Sequence, residues 1–374
     1  MRIAASTITN VRIFDGERLT PPRTVSMVDG LIDAVTDDAV TDHAGPADGD
    51  IVDGGGATLL PGLIDCHIHL TGRADLEAAA HWGITTMLDM ATPSPELVDG
   101  LRGLPGLTDI RSAGSPASGP GGIQTRMLGF PEDTAVSGPD DAERFVAQRV
   151  SEGSDYLKII VEDPAQMGPA ALGAETVAAL GEAARRHGLR TYAHATTVAS
   201  VRLAAEAGVD VITHVPIDAP LDPGTAADIR ERGIVVVPTL VMMRGAVQMA
   251  RTMGTHGDEA DYAHSVASVA ALLGAGVQVL AGTDANSHPA SPFGVAHGSS
   301  LHDELGLLVE AGMSPAEALR SATSRPAALW GLGDRGAIRP GLRADLLLVE
   351  GDPTHDLGAT RQIDGVWIAG QRVR

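Results

Sequence analysis

Pro61-Gly62-Leu63-Ile64-Asp65-Cys66-His67-Ile68-His69 is the stretch on which the reading of this chain turns. Apolar and β-branched residues bounded by Gly62 and Gly72 make the pattern of a buried strand, and along a strand successive side chains point to opposite faces. His67 and His69 therefore share a face, one pleat apart. Neutral imidazole is the commonest metal ligand, so such a pair at the end of a strand can grip one ion from one side. The plainer reading is two polar residues that close a strand. The same alternation sends Cys66 to the opposite face, as a small buried side chain.

Working outward, strand-like and helix-like segments alternate. After the histidine strand come strand patterns at Thr85–Met90, Asp109–Gly114, around Lys158, Arg190–His194, Val209–His214, Ile234–Thr239 and Val277–Asp284, eight in all. Helical patterns fall between most of them: Asp140–Val150, Ala174–His187, Val198–Ala207, Pro223–Arg232 and Glu259–Leu273, with Gly188, Gly208, Gly233 and Gly274 placed as C-terminal caps. Such alternation predicts a parallel sheet, and eight units without a Gly-rich dinucleotide fingerprint predict a (β/α)8 TIM barrel. Two further helices follow, one with Leu301, Leu305 and Leu308 at helical spacing, the other opened by the capping sequence Ser314-Pro315-Ala316-Glu317. The Gly- and Pro-rich stretch Ser115–Pro139 is expected as a loop over the barrel mouth.

The two ends read differently. Thr7–Phe14, the Asp29-Gly30 turn between apolar arms, Asp345–Val349 and the Val366–Val373 hairpin are short strands with turn residues. Neither end suffices for its own core, so residues 1–57 and 338–374 are expected to form one composite β-sandwich beside a 58–337 barrel.

Composition narrows the function. The chain carries a net charge of −21 with only 3% aromatic residues, which disfavours nucleic-acid binding and a membrane surface. No basic leader or apolar run long enough to span a bilayer is present, and Cys66 is the single cysteine; the expectation is a cytoplasmic protein acting on a small molecule. A homo-oligomer is compatible with these features. Among 27 basic residues Lys158 is the only lysine, and it lies in the apolar run Tyr156–Val161. A desolvated lysine can act as a neutral amine, which arginine cannot do.

Barrel enzymes build their sites at strand C-termini. His67, His69, His194, His214 and Asp284 all fall there, with Lys158 inside the fourth strand. Each alone reads as an ordinary strand-end residue; together they form a candidate ligand set. Weaker candidates for substrate contact are Arg126 in the long loop and Arg244 after the seventh strand, each able to hold a carboxylate. His288 and His297 follow the eighth strand, and Tyr192 shares a face with His194 deeper in the barrel.

With Gly282-Thr283-Asp284, the segment His302-Asp303-Glu304-Leu305 and the run Pro340–Leu346, these motifs resemble the amidohydrolase superfamily over nearly the whole chain. The resemblance is to its imidazolonepropionase-like and metal-dependent prolidase-like branch. It implies a hydrolase of amide or related C–N bonds, peptide-like or cyclic, with two divalent ions, usually zinc. By that likeness His67, His69 and Asp284 hold one ion, His194 and His214 the other, and a CO2-derived carbamate on Lys158 bridges them. A metal-bridging hydroxide is then the nucleophile, and Asp284 the catalytic acid and base. Two departures bear on the substrate. The chain reads His194-Ala195-Thr196-Thr197 where prolidase-like members have a second histidine and a glycine. It has Thr213 and Val215 around His214 where they have Glu and Gly. The alternatives are a lactonase or esterase on the same site, a mononuclear deaminase, whose glutamate after the fifth strand is absent, and a metal-free scaffold.

Overall fold

The computed structural model describes residues 5–37, 50–126, 130–253, 260–288 and 294–374. It is a mixed α/β fold. Short buried strands at Leu63–His69, Ile84–Asp89, Asp109–Ser112, Leu157–Ile160, Thr191–His194, Val211–Thr213 and Val235–Val237 alternate with helices. They pair in parallel as two four-stranded sheets. In one, Leu63–His69 lies between Ala285–Asn286 and Ile84–Asp89, with Asp109–Ser112 outermost; in the other, the strands run in chain order from Leu157–Ile160 to Val235–Val237. Bridges connect the sheets at both sides, Ala117 with Ile159 and Val236 with Val279, and Cys66 N–H donates to Ala281 O at 3.0 Å.

Two expectations need correction. The predicted strand over Val277–Asp284 is not regular: Val279 forms an isolated bridge, and the ladder resumes only at Ala285–Asn286. The cause is crowding. A Cβ on Gly282 would sit 2.5 Å from Val237 Cγ1 and 2.9 Å from His67 N, and Asp284 takes a left-handed φ of 59°. Gly188, Gly208 and Gly233 do close their helices with φ of 74°, 75° and 70°. Gly274, in contrast, is the last residue of the helix Tyr262–Gly274, and the left-handed turn falls at Gly276. The predicted start of that helix, Glu259, lies outside the described residues, as do residues 127–129 of the Ser115–Pro139 loop. That stretch begins as buried sheet edge, since Ala117 N–H donates to Lys158 O at 2.8 Å.

The terminal segments meet in one mixed sheet of eight strands. Thr58–Pro61 is its hinge in sequence: it pairs in parallel with Ser6–Phe14 and antiparallel with Leu346–Val349. The hairpin turns fall at Asp29-Gly30 and Ala369-Gly370, all four residues left-handed, as a two-residue turn between twisted strands demands. Ile8, Val11, Val25, Leu59, Leu346 and Trp367 form an apolar cluster here, separate from the larger core of the parallel strands and helices.

Candidate metal centre

The pairing between Leu63–His69 and Ile84–Asp89 slips between Asp65 and Ile68, which marks a bulge. It corrects the pleat argument for Cys66. That residue packs with Tyr192, Val211 and Leu280, and Tyr192 is in register with Lys158, so Cys66 faces the same interior as the candidate ligands. The bulge lets Cys66 and His67 both turn inward. Asp65 then braces the slipped strand: its carboxylate accepts from His67 N–H at 3.2 Å, Thr283 N–H at 3.1 Å and Thr283 Oγ1 at 2.7 Å.

His67, His214 and Asp284 each offer a ligand atom within 4.8 Å of the others. Asp284 Oδ1 lies 2.8 Å from His69 Nε2 and 3.4 Å from His67 Nε2, and neither nitrogen is aligned to hydrogen-bond it. The His67 ring sits 4.9 Å from that of His214, which sits 4.6 Å from that of His194. Lys158 enters from the next strand over and donates to Thr213 Oγ1 at 3.0 Å. No carboxylate lies within ion-pair distance of its Nζ among the described residues. The six residues named from the sequence thus come together.

Burial sets the charge state. It pushes His67 and His214 well below the ordinary imidazole range and His194 down to about 3, with neighbouring cationic groups adding to the effect. Lys158 falls to about 7 for the same reason, against the pull of Asp284 and Asp89. His69 moves the other way. Burial opposes its charge, yet the contact with Asp284 raises it. The carboxylate calls for a cation. Three neutral imidazoles, a carboxylate and both ring nitrogens of His67 left without hydrogen bonds in a buried site are the donor set a divalent ion satisfies.

The backbone is strained where it aims these groups. Among the described residues six non-glycine residues have positive φ; Asn10, Asp29 and Ala369 lie outside the centre, but His214 (73°), Thr239 (49°) and Asp284 (59°) lie at it. Thr239 Oγ1 is 2.7 Å from His214 Nδ1, and with the proton on Nδ1 the Nε2 lone pair faces the site. Glu304, fully buried, accepts from Leu240 N–H at 2.9 Å and Val241 N–H at 2.8 Å, fixing the turn after Thr239. Asp89 underlies Leu70, accepting from its N–H at 3.1 Å and from Thr92 and Ser112 hydroxyls. The sequence reading missed Thr239, Glu304, Asp65, Asp89 and also Glu162, whose Oε1 is 3.9 Å from His194 Nε2. Asp65 and Glu304 lie within the motifs quoted above but were given no role there; the others had no signal beyond polarity beside an apolar run.

The substrate-contact candidates take separate positions. Tyr192 is fully buried, stacked on Trp330 at 5.0 Å beneath the centre, so it is a core residue and not a contact. Arg244 faces outward over Tyr262 and toward Glu310 at 3.8 Å. Arg126 ends the short helix Ile123–Arg126, exposed, and His288 is an exposed loop residue whose N–H donates to Asn286 Oδ1. His297 is buried behind His69, 3.1 Å from its carbonyl and 3.3 Å from Asp75.

The sequence pattern of the amidohydrolase family matches residues 58–373. This chain belongs to the amidohydrolase family. It is a hydrolase of the class acting on C–N bonds. Amidohydrolases similar to it include an enamidase of Eubacterium barkeri, 26% identical over 87% of this chain and 81% of the relative. An imidazolonepropionase of Deinococcus deserti is 27% identical over 88% and 87%. Among solved structures, a putative prolidase from Bifidobacterium longum superposes with a TM-score of 0.83 at 25% identity, over 100% of this chain and 95% of that one. In this amidohydrolase no helix of the described residues is long and apolar enough to cross a membrane.

Proposed function

We propose that this amidohydrolase cleaves an amide or related C–N bond, peptide-like or cyclic, in a small molecule, using two divalent metal ions. The observation that carries the reading is the meeting of four imidazoles, Asp284 and a buried, unpaired Lys158 from five separate stretches of chain. His67, His69 and Asp284 would hold one ion, His194 and His214 the other. Lys158 would bridge them as a carbamate: its neutral amine adds to the carbon of CO2 and gives up a proton. A buried ammonium without a carboxylate partner is costly, and the carbamate removes that cost while supplying the negative charge two cations need. Bound there, the ions would supply an activated water and polarise the scissile carbonyl. Asp284 would take the proton from the attacking water and return it to the leaving nitrogen. The fold is read as a (β/α)8 barrel of residues 58–337 with a β-sandwich from 1–57 and 338–374, and the protein as cytoplasmic.

The test is the metal content of protein purified without chelators. Two equivalents per chain are expected. About one would make the centre mononuclear and Lys158 structural, and none after added zinc and bicarbonate would overturn the reading. Lys158→Arg and Asp284→Ala should each lower kcat by on the order of 10²–10⁴ while the far-UV circular dichroism is kept. Activity of the wild type on lactones but not on matched amides would replace C–N by ester cleavage.

A further inference from the structure

We propose that Glu162 is a specificity-determining residue that selects substrates carrying a protonated amine beside the scissile bond. This rests on the metal-site reading above. Among the described residues, the centre is open where His69, His194 and Asp284 lie. His67, His214 and Lys158 are 1–2% exposed, whereas the side chains of His69, His194 and Asp284 keep 24%, 24% and 16% of their surface. Glu162, just beyond the strand Leu157–Ile160, stands on that open side, its side chain 19% exposed and its Oε1 3.9 Å from His194 Nε2.

Apart from the candidate ligand Asp284, the carboxylates nearby differ from that of Glu162. Asp65, Asp89, Asp75 and Glu304 each accept two or more hydrogen bonds from backbone or hydroxyl donors and serve the fold. Glu162 accepts none from any described residue, and no arginine or lysine lies within ion-pair distance of it. Its neighbour Asp163 is turned away to cap Pro164–Met167, accepting from Ala165 N–H at 2.8 Å. Arg244, a natural clamp for a substrate carboxylate, is engaged elsewhere. Among the described residues, the open side therefore presents beside the metal site a carboxylate with no hydrogen-bond donor and no arginine or lysine paired to it. A substrate carboxylate placed there meets repulsion. An ammonium meets a half-buried acceptor and forms charge-assisted hydrogen bonds.

The experiment uses the zinc-loaded protein and two short metal-directed probes of similar length, 4-aminobutanohydroxamate and succinic monohydroxamate, with Kd measured by calorimetry. Wild type is expected to favour the amine by about 10- to 100-fold, the range of a hydrogen bond to a charged group. Glu162→Gln should bring the ratio close to one and Glu162→Arg should reverse it, both with unchanged zinc content. An unchanged ratio in Glu162→Gln, or no preference in wild type, at normal zinc content overturns this proposal alone. Loss of zinc in Glu162→Gln overturns it by making the residue a ligand. Wild type that takes up no zinc and binds neither probe overturns the metal-site reading, and this proposal with it.

Discussion

Lys158 shows how one residue type can be dictated by its surroundings. Every other basic position in the chain is arginine, and this one sits in a strand buried on both faces. Burial lowers its amine from the ordinary 10.5 to about 7. The unfolded chain keeps that proton up to about pH 10.5, whereas the folded protein releases it near 7. Across this window the unfolded state binds more protons, so stability rises with pH and the penalty is largest below 7. In CO2-free buffer without metal, wild type should be less stable than Lys158→Met at pH 7, by on the order of a few kcal/mol. The gap should narrow toward pH 10. Urea midpoints of the two proteins at pH 7, 8.5 and 10 check this, and a gap that widens with pH would contradict it.

At the scale of elements, the centre depends on strand ends that leave the regular pleat. Gly282 is the tightest point: a methyl group there meets Val237 and the backbone of His67. Gly282→Ala should therefore displace the histidine strand from Asp284 and cut metal affinity by at least about tenfold, the lower range for losing a ligand's support. Thr239→Val should act in the same direction by freeing the His214 ring. Chelator competition on both variants tests this, and wild-type affinity in Gly282→Ala would mean that the strands can part without moving His67. These details also mark what the sequence could convey. Alternation of strands and helices, the convergence of polar residues at strand ends and three of the four glycine caps were legible, because each follows from local pattern. The bulge at Asp65–Ile68 was not, so Cys66 was sent to the wrong face, and the irregular eighth strand was not, because crowding by Val237 is a contact across the fold. The left-handed turns at His214, Thr239 and Asp284 likewise have no glycine or asparagine to announce them.

At the scale of the molecule, the two chain ends are held together by a sheet that contains none of the six candidate ligands. Short strands with Asp-Gly and Ala-Gly turns at each end made their union readable from sequence, while the register came from packing. Trp367 is the largest side chain in its cluster, 1% exposed, set beside Ile8, Val11, Leu59 and Leu346, with the Arg372 guanidinium 5.3 Å above its ring. Emptying that position leaves a cavity flanked by strands from both termini, and such truncations cost about 3–5 kcal/mol. That is a large share of the roughly 5–15 kcal/mol by which domains are stable. Trp367→Ala should therefore lower the urea midpoint sharply while zinc binding per folded chain stays at the wild-type level. Gly282→Ala should show the opposite pattern, because its methyl group presses on the ligands and leaves this cluster alone. Measuring unfolding and zinc content on both variants separates the two roles, and loss of zinc from folded Trp367→Ala would show that the terminal sheet holds the centre as well as the chain ends.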